Sequence, residues 1–385
     1  MRKVQLFLLL LLSTVILYVG MAQEENLTFT HGPYLQNVTQ SGATIIFTTD
    51  KLVVPGVMIR SGNEEFKLVH SSLDGLINVG DNVNKIRLEN LVGGRKYEYK
   101  LFASGITDYQ AYKCTYGDTI ISKSFSFKTF DPDMDRLNFT VFCDIHDRAY
   151  KLAKYLDSND IEKQDCYFLN GDILGSIEEV QQLYSSFLDT CVNRFASEKP
   201  FFYVRGNHET RGKFARQLKD YLDFSDDKYY YAQTLGSVRF VILDGGEDKP
   251  DASKEYSGLV DFDAYRFEQL KWLNQEVQSE EFKKAPFKIV IIHMPIIQNK
   301  KNWYGMEFLA KHFGPVLREA NIDLMISGHT HRNAWIEQNK SGFNYPVMIS
   351  SNNHFIEAEV TEKGIALTLK DIEGKVEKKY QVDKK

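Results

Sequence analysis

"LNFTVFCDIHDRAYKLAKYL", residues 137–156, decides the fold. Leu137 to Cys143 form a run that is apolar apart from Asn138 and Thr140, which suits a strand buried on both faces. The run stops at Asp144-Ile145-His146-Asp147, and apolar residues at helical spacing follow from Ala149 to Leu156. Strand, polar turn and helix make one unit of an α/β domain. The same grammar recurs downstream. "DCYFLNGDIL" precedes a helical stretch through "EEVQQLYSSFLDTCVNRFA", and "PFFYVRGNHET" is a third strand. Then come "SVRFVILDGG", a helix at "DAYRFEQLKWLNQEV", the strand "FKIVIIHMP", a helix at "EFLAKHFGPVLREA" and the strand "IDLMISGHTH". The tail "HFIEAEVTEKGIALTLKDIEGKVEKKYQV" returns to short strands. The expected architecture for residues 137–385 is α/β layered, a β-sandwich flanked by helices, with the C-terminal strands included.

Upstream the pattern is different. Residues 26–130 hold short alternating runs, among them "GATIIFTT", "NKIRLENL" and "KYEYKLFA", separated by Gly, Asn and Asp turns. That predicts an all-β sandwich of the fibronectin type III or immunoglobulin kind. In "LENLVGGRKYEYKL" a glycine turn leads to Tyr97 on a returning strand, which resembles a tyrosine corner. The polar stretch "DPDMDR", residues 131–136, reads as the linker. Residues 1–22 combine Arg2 and Lys3, an apolar run and Gly20-Met21-Ala22. This pattern predicts a secretory signal peptide cut after Ala22, with a retained anchor as the alternative. The expected location is therefore periplasmic or extracellular. No later segment has the length and apolarity of a membrane span.

The chain has 385 residues, 43% hydrophobic and 26% charged, with a net charge of −5. With no basic excess it carries no nucleic-acid footprint. Cys114, Cys143, Cys166 and Cys191 fit no zinc spacing, and buried free thiols are the expectation. The sequence is silent on oligomeric state.

Chemistry gathers at the strand ends. The first strand delivers Asp144 and His146, the second Asp172, and the third Asn207 and His208. "KIVIIHMP" delivers His293, and "DLMISGHTH" delivers His329 and His331. Alone, each has an ordinary explanation: a polar turn, a helix cap, a satisfied core histidine. Together they account for five of the chain's nine histidines, on the edge where open α/β sheets bind ligands. Two divalent ions about 3.5–4 Å apart need a bridging carboxylate and further nitrogen and oxygen donors. This donor set suits manganese, zinc or iron. His329 and His331 are one residue apart, so an extended segment would aim both rings the same way.

Asp144-Ile145-His146, Gly171-Asp172, Gly206-Asn207-His208-Glu209, His293 and Gly328-His329-Thr330-His331 together resemble the five-part signature of the calcineurin-like metallophosphoesterases. The resemblance spans about residues 137–335. It implies one ion held by Asp144, His146, Asp172 and His331, and another by Asp172, Asn207, His293 and His329. Asp172 would bridge them. His208 would bind no metal and would act on the leaving oxygen as general acid. Residues 26–130 resemble the leading domain of purple acid phosphatases. Those enzymes carry a tyrosine three residues after the bridging aspartate, where this chain has Gly175, and lack a histidine at the place of His146. These departures leave the tyrosine-to-iron charge transfer without a donor, so a colourless centre is expected.

The function expected is a secreted dinuclear-metal phosphoesterase that hydrolyses phosphomonoesters by attack of a metal-bound hydroxide. A phosphodiesterase or nucleotidase of the same fold is the alternative, and a non-catalytic surface-binding protein a remote one. Asn207, His208 and Arg332 are the expected substrate contacts, and Arg205, Arg211, Asp147, His354, Trp303 and Tyr304 are further candidates. Loops 244–260 and 297–307 are the expected walls of the cleft.

Overall fold

The computed structural model describes residues 26–79 and 82–385. The expected signal peptide, residues 1–22, lies outside them. The first ten strands are β1 Tyr34–Gln36, β2 Ala43–Thr48, β3 Val53–Ser61, β4 Lys67–Val69, β5 Ser72–Leu73, β6 Leu76–Ile77, β7 Val83–Leu88, β8 Lys96–Gln110, β9 Lys113–Ile121 and β10 Phe125–Lys128. β1-β2-β7 form one sheet, and β10-β8-β3-β4, with β9 on β8, form a second. Alternation explains the pairing. Tyr97, Tyr99, Leu101 and Ala103 of β8 point inward, while the residues between them are more exposed. The Tyr97 hydroxyl accepts the Val92 N–H at 2.8 Å, which closes the corner expected there.

The remaining strands are β11 Arg136–Phe142, β12 Cys166–Asn170, β13 Phe201–Val204, β14 Tyr231–Leu235, β15 Val238–Leu243, β16 Phe287–Ile292, β17 Leu324–Ser327, β18 Ala334–Ile336, β19 Val347–Ile349, β20 His354–Thr361, β21 Gly364–Asp371 and β22 Val376–Asp383. Four longer helices join them: α1 Ala149–Asp157, α2 over residues 181–196 with alternating α and π turns, α3 Phe262–Glu276 and α4 Tyr304–Glu319. None of the described helices is long and apolar enough to cross a membrane.

Two six-stranded sheets face each other, ordered β13-β12-β11-β20-β21-β22 and β14-β15-β16-β17-β19-β18. Phe139 and Phe168 of the first meet Phe240 of the second, with ring centroids 5.2 and 4.8 Å apart. On the outer face of the first sheet Phe142 stacks on Tyr155 of α1. Leu273 of α3 and Leu309 and Phe313 of α4 share a core with Val290 and Ile292 of the second sheet. The C-terminal tail is structural. β20 pairs antiparallel with β11 and extends the first sheet by three strands.

The two regions share one continuous apolar core, which runs from Tyr34 and Phe47 through Phe139 to Val382. Polar contacts reinforce it. Asp223 accepts from Thr44 Oγ1 at 2.6 Å, Asn37 Nδ2 at 2.9 Å and Arg87 Nη2 at 3.0 Å. Tyr34 and Tyr99 donate to the carbonyls of Tyr221 and Ser197, each at 2.6 Å. Three of the cysteines are buried and free as expected, whereas Cys114, also free, is partly exposed on β9.

Candidate metal centre

Five strands, β11, β12, β13, β16 and β17, end at one rim, and each delivers a side chain within four residues of its last residue. Beyond β11 and β12 the backbones go on pairing. Asp144 N–H donates to the Gly171 carbonyl at 3.0 Å, His146 N–H to Asp172 at 2.9 Å and Asp147 N–H to Ile173 at 3.0 Å. This zipper holds Asp144, His146 and Asp172 in the left-handed region, at φ 55°, 51° and 51°. Such backbone is strained for residues with a Cβ and clusters at functional sites.

Two groups of donor atoms result, each with all members within 4.8 Å of one another: Asp144, His146, Asp172 and His331, and Asp172, His293 and His329. Asp172 belongs to both. Asn207 joins the second, its Oδ1 3.0 Å from His329 Nδ1. Asp144 Oδ1 and the Nε2 atoms of His293 and His329 are buried without an aligned hydrogen-bond partner. Buried polar atoms are rarely left so. Facing carboxylates and imidazoles with free lone pairs are the donors that a divalent cation takes, so these residues fit divalent ions.

One sequence expectation needs correction. His329 and His331 do not lie on an extended segment with rings aimed together. Both are left-handed, at φ 69° and 54°, and each ring joins a different group. The turn separates two side chains that an extended strand would have aligned.

Surrounding groups fix the donors. His293 Nδ1 bonds the Asn170 carbonyl at 2.8 Å, which leaves Nε2 to face Asp172 Oδ2 at 3.0 Å. The His329 N–H donates to Asp144 Oδ2 at 3.1 Å, and the His208 N–H to Asp172 Oδ1 at 3.0 Å. Glu209, fully buried, accepts from the N–H groups of Asp172, Leu174 and Gly206 and from the Tyr203 hydroxyl, at 2.8–3.0 Å. Burial and the Asp172 charge push its carboxyl above the usual range. Burial holds the His146 ring down at about 4, and burial with the nearby His293 charge does the same for His329. Burial would lower His293 too, but Asp172 and Asp144 carry it up to about 10. Burial alone would raise both aspartates; His331 and His293 bring Asp144 below its ordinary value, and His293 and His208 do so for Asp172.

Residues 137–333 match the family described as calcineurin-like phosphoesterase. The chain belongs to that family. Among curated relatives, purple acid phosphatases 22 and 21 of Arabidopsis thaliana are each 26% identical, over 229 and 220 residues. Each alignment covers 54% of this chain and 46% of the relative, so the chain spans about half the length of the curated relatives it matches. The solved purple acid phosphatase PPD1 of yellow lupin, Lupinus luteus, superposes with a TM-score of 0.68 at 15% identity. That superposition covers 91% of this chain and 74% of the lupin one. PhoD gives 0.60 at 13% identity over 92% of each chain. Both likenesses concern the fold, and both reach beyond the family match to include the leading β-region.

Within this family fold, other residues singled out by sequence take varied places. His208 lies beside the donors, its Nε2 3.8 Å from Asp172 Oδ2. Arg332 is exposed, and its carbonyl accepts from Thr330 Oγ1. Arg205 points away, into a buried pair with Asp244 and over the Tyr229 ring. Asp147 accepts from the Gly175 N–H at 2.8 Å and from Gln182 and Ser186 of α2. A Cβ on Gly175 would meet that carboxylate at 2.7 Å, so the Asp147 carboxylate fills the space that a side chain at 175 needs. Trp303, more than half exposed, sets its ring edge-on to His329 at 5.2 Å between centroids. Tyr304 instead bonds Asp263 of α3. His354 bonds Ser351, and its ring faces Glu377 on β22.

Two features were missed from sequence. Glu209 stood inside a quoted motif, but nothing local shows that its four donors converge. The segment 242–259 read as a polar loop, yet Asp244, Glu247 and Asp248 are buried. Arg205 and Arg211, which flank the third strand end and need acidic partners when buried, were the available signal.

Proposed function

We propose that this chain is a phosphomonoester hydrolase working at two divalent ions. Asp144, His146, Asp172 and His331 would hold one, and Asp172, Asn207, His293 and His329 the other. The observation that carries the reading is Asp172, a single carboxylate common to both donor groups. Bound there, the ions would supply positive charge for phosphoryl oxygens and acidify water near neutral pH.

The chain's own residues do the rest. His208 presents Nδ1 to the Gly175 carbonyl at 2.7 Å, a contact that requires the proton on Nδ1 and turns Nε2 toward the cleft. Nε2 is then the ring atom turned toward the leaving oxygen, and it serves as the acid when the ring carries a second proton there. Glu209 and Asn170 keep Asp172 and His293 aimed, and Trp303 walls the side of His329. Manganese, zinc or ferrous iron satisfy the donors. With Asp147 against Gly175 no tyrosine reaches the centre from that position, which supports a colourless enzyme. The charged start, apolar run and small residues within 1–22 support export.

The test is a substrate panel of aryl monoesters, aryl diesters, nucleotides and phospholipids on metal-loaded protein, with two variants. Asp172→Ala is expected to lose both bound metal and turnover. His208→Ala is expected to keep its metal while the rate falls by about 10²–10⁴. A strong preference for a bis-aryl diester would replace the monoesterase reading. An emptied site in His208→Ala would remove the acid role from His208.

A further inference from the structure

Arg211 sits two residues beyond Glu209, where the third strand end turns away from the rim, and its side chain comes back toward the site. Its Nε donates to Glu247 Oε1 at 2.7 Å and its Nη2 to Glu247 Oε2 at 2.9 Å, a bidentate clamp. Glu247 is buried at 1% exposure, and the hydroxyls of Thr210 and Tyr256 also donate to it, each at 3.0 Å. The guanidinium plane is thereby fixed. The remaining nitrogen, Nη1, lies 3.1 Å from His208 Nε2. In the singly protonated ring, with the proton on Nδ1 toward Gly175, Nε2 accepts here and Nη1 donates; when Nε2 carries the acid proton, this contact is released.

A guanidinium has five N–H donors. The Glu247 clamp takes one from Nε and one from Nη2, and His208 takes one from Nη1. A second Nη1 proton stays beside the atom that faces the substrate, on a side chain 31% exposed. We infer that Arg211 is a substrate-reading residue: its free Nη1–H takes a non-bridging oxygen of the phosphoryl group and selects monoester dianions over diester monoanions. The inference rests on the phosphomonoesterase reading above and names the residue behind that preference. The chemistry follows from charge. A monoester brings a second negative charge and an oxygen without a substituent, and a fixed guanidinium rewards both. A diester carries an organic group on that oxygen and gains little. Glu247 acts as a positioning residue, since it holds Arg211 and touches no substrate. The segment 244–260 thus reaches the site through a buried acid, not as an open polar lid.

The experiment uses full-length, metal-loaded protein and two variants. Arg211→Lys keeps the charge but loses the fork. The double variant Arg211→Met/Glu247→Gln removes both charges, so no buried carboxylate is left unpaired. Rates are measured on para-nitrophenyl phosphate and on methyl para-nitrophenyl phosphate, inorganic phosphate binding by calorimetry, and bound metal by elemental analysis. Both variants are expected to keep their metal. The double variant should lose about 30-fold in kcat/KM on the monoester, bind phosphate about tenfold more weakly, and lose at least tenfold less on the diester. Arg211→Lys should fall between it and the parent. Equal losses on the two esters, or unchanged phosphate binding, would overturn the assignment. If the parent hydrolyses neither ester, the phosphoesterase reading fails instead, and phosphate binding alone then decides the role of Arg211.

Discussion

Glu209 shows how much of the site rests on one buried side chain. Three backbone N–H groups and a tyrosine hydroxyl all point at its two oxygens, and two of the four come from residues inside or next to the donor set. Four donors suit a carboxylate and no other side chain of that size. Glu209→Gln places an amide NH2 against N–H groups and leaves buried donors unmatched. The expected cost is about 1–3 kcal/mol in the metal-free protein, read from denaturant unfolding. Metal affinity should fall about 10–100-fold, read by chelator competition, because the backbone that aims Asp172 relaxes. Unchanged values for both would show that the network is incidental. None of this was legible in sequence. The residue types of the donors were, because aspartate and histidine at strand ends are visible one by one. A hydrogen-bond network collects partners from positions 172, 174, 203 and 206, and no local pattern announces it.

At the scale of elements, the strands could be read and the turns after them could not. Apolar runs buried on both faces have one period and clear ends, so β11, β12, β13, β16 and β17 stand out. The ligand turns depend on left-handed backbone at Asp144, His146, Asp172, His329 and His331, residues with no glycine-like signature. The glycines beside them are more telling. Gly171 lies at φ 73°, and a Cβ there would come within 2.5 Å of the His293 ring. Gly206 would place its Cβ 2.3 Å from Asp172 Oδ1. The donors approach one another so closely that the preceding residue has no room for a side chain. Gly171→Ala is therefore expected to combine backbone strain with overpacking of about 1–3 kcal/mol and to displace His293. Gly62→Ala is the control, since Gly62 has φ 58° and nothing within 4 Å of the added Cβ. Thermal unfolding of the two, with bound metal measured in parallel, separates the terms. Gly171→Ala should be the less stable and should lose metal, while Gly62→Ala should show backbone strain alone. Equal destabilisation with full metal content in both would mean that His293 can move aside freely.

For the whole molecule, the composition by region indicated two kinds of architecture but not how they join. The join proves to be apolar and continuous, with Tyr34 of β1 6.1 Å from Phe201 of β13 between ring centroids. Contacts of this kind pair residues some 160 positions apart in the chain, beyond any local pattern. Rich aromatic packing also makes stability sensitive to alkali. Burial raises the hydroxyls of Tyr34, Tyr99 and Tyr203 well above the ordinary value and pushes Tyr229 and Tyr230 up to about 12. The folded state thus holds these protons more tightly than the unfolded chain, whose tyrosines titrate near 10. Their contribution is complete below pH of about 10 and lost as pH rises through about 12. Denaturant midpoints should hold between pH 8 and 9 and drop steeply above 10.

The joint itself can be tested at Asp223, a carboxylate of the phosphoesterase-fold half with only 8% of its side chain exposed. It receives Thr44, Asn37 and Arg87 from the leading half, and its own N–H donates to Gln36 Oε1 at 2.6 Å. Asp223→Ala removes the acceptor and leaves Thr44 and Asn37 facing a gap, at an expected cost of about 1–3 kcal/mol. Because one core spans both halves, unfolding should remain a single transition at a lower midpoint. Two separated transitions, followed by tryptophan fluorescence and by calorimetry, would show that the halves fold independently. The same logic applies to a chain started at residue 131. It would expose Phe201 and Tyr221, together with the face of α2 that carries Tyr184 and stacks against His31. Such a chain is expected to aggregate or to unfold at a markedly lower temperature. If it stayed monomeric with the full-length midpoint, the leading sandwich would be an appendage, and the shared core would contribute nothing to holding the metal-binding rim in shape.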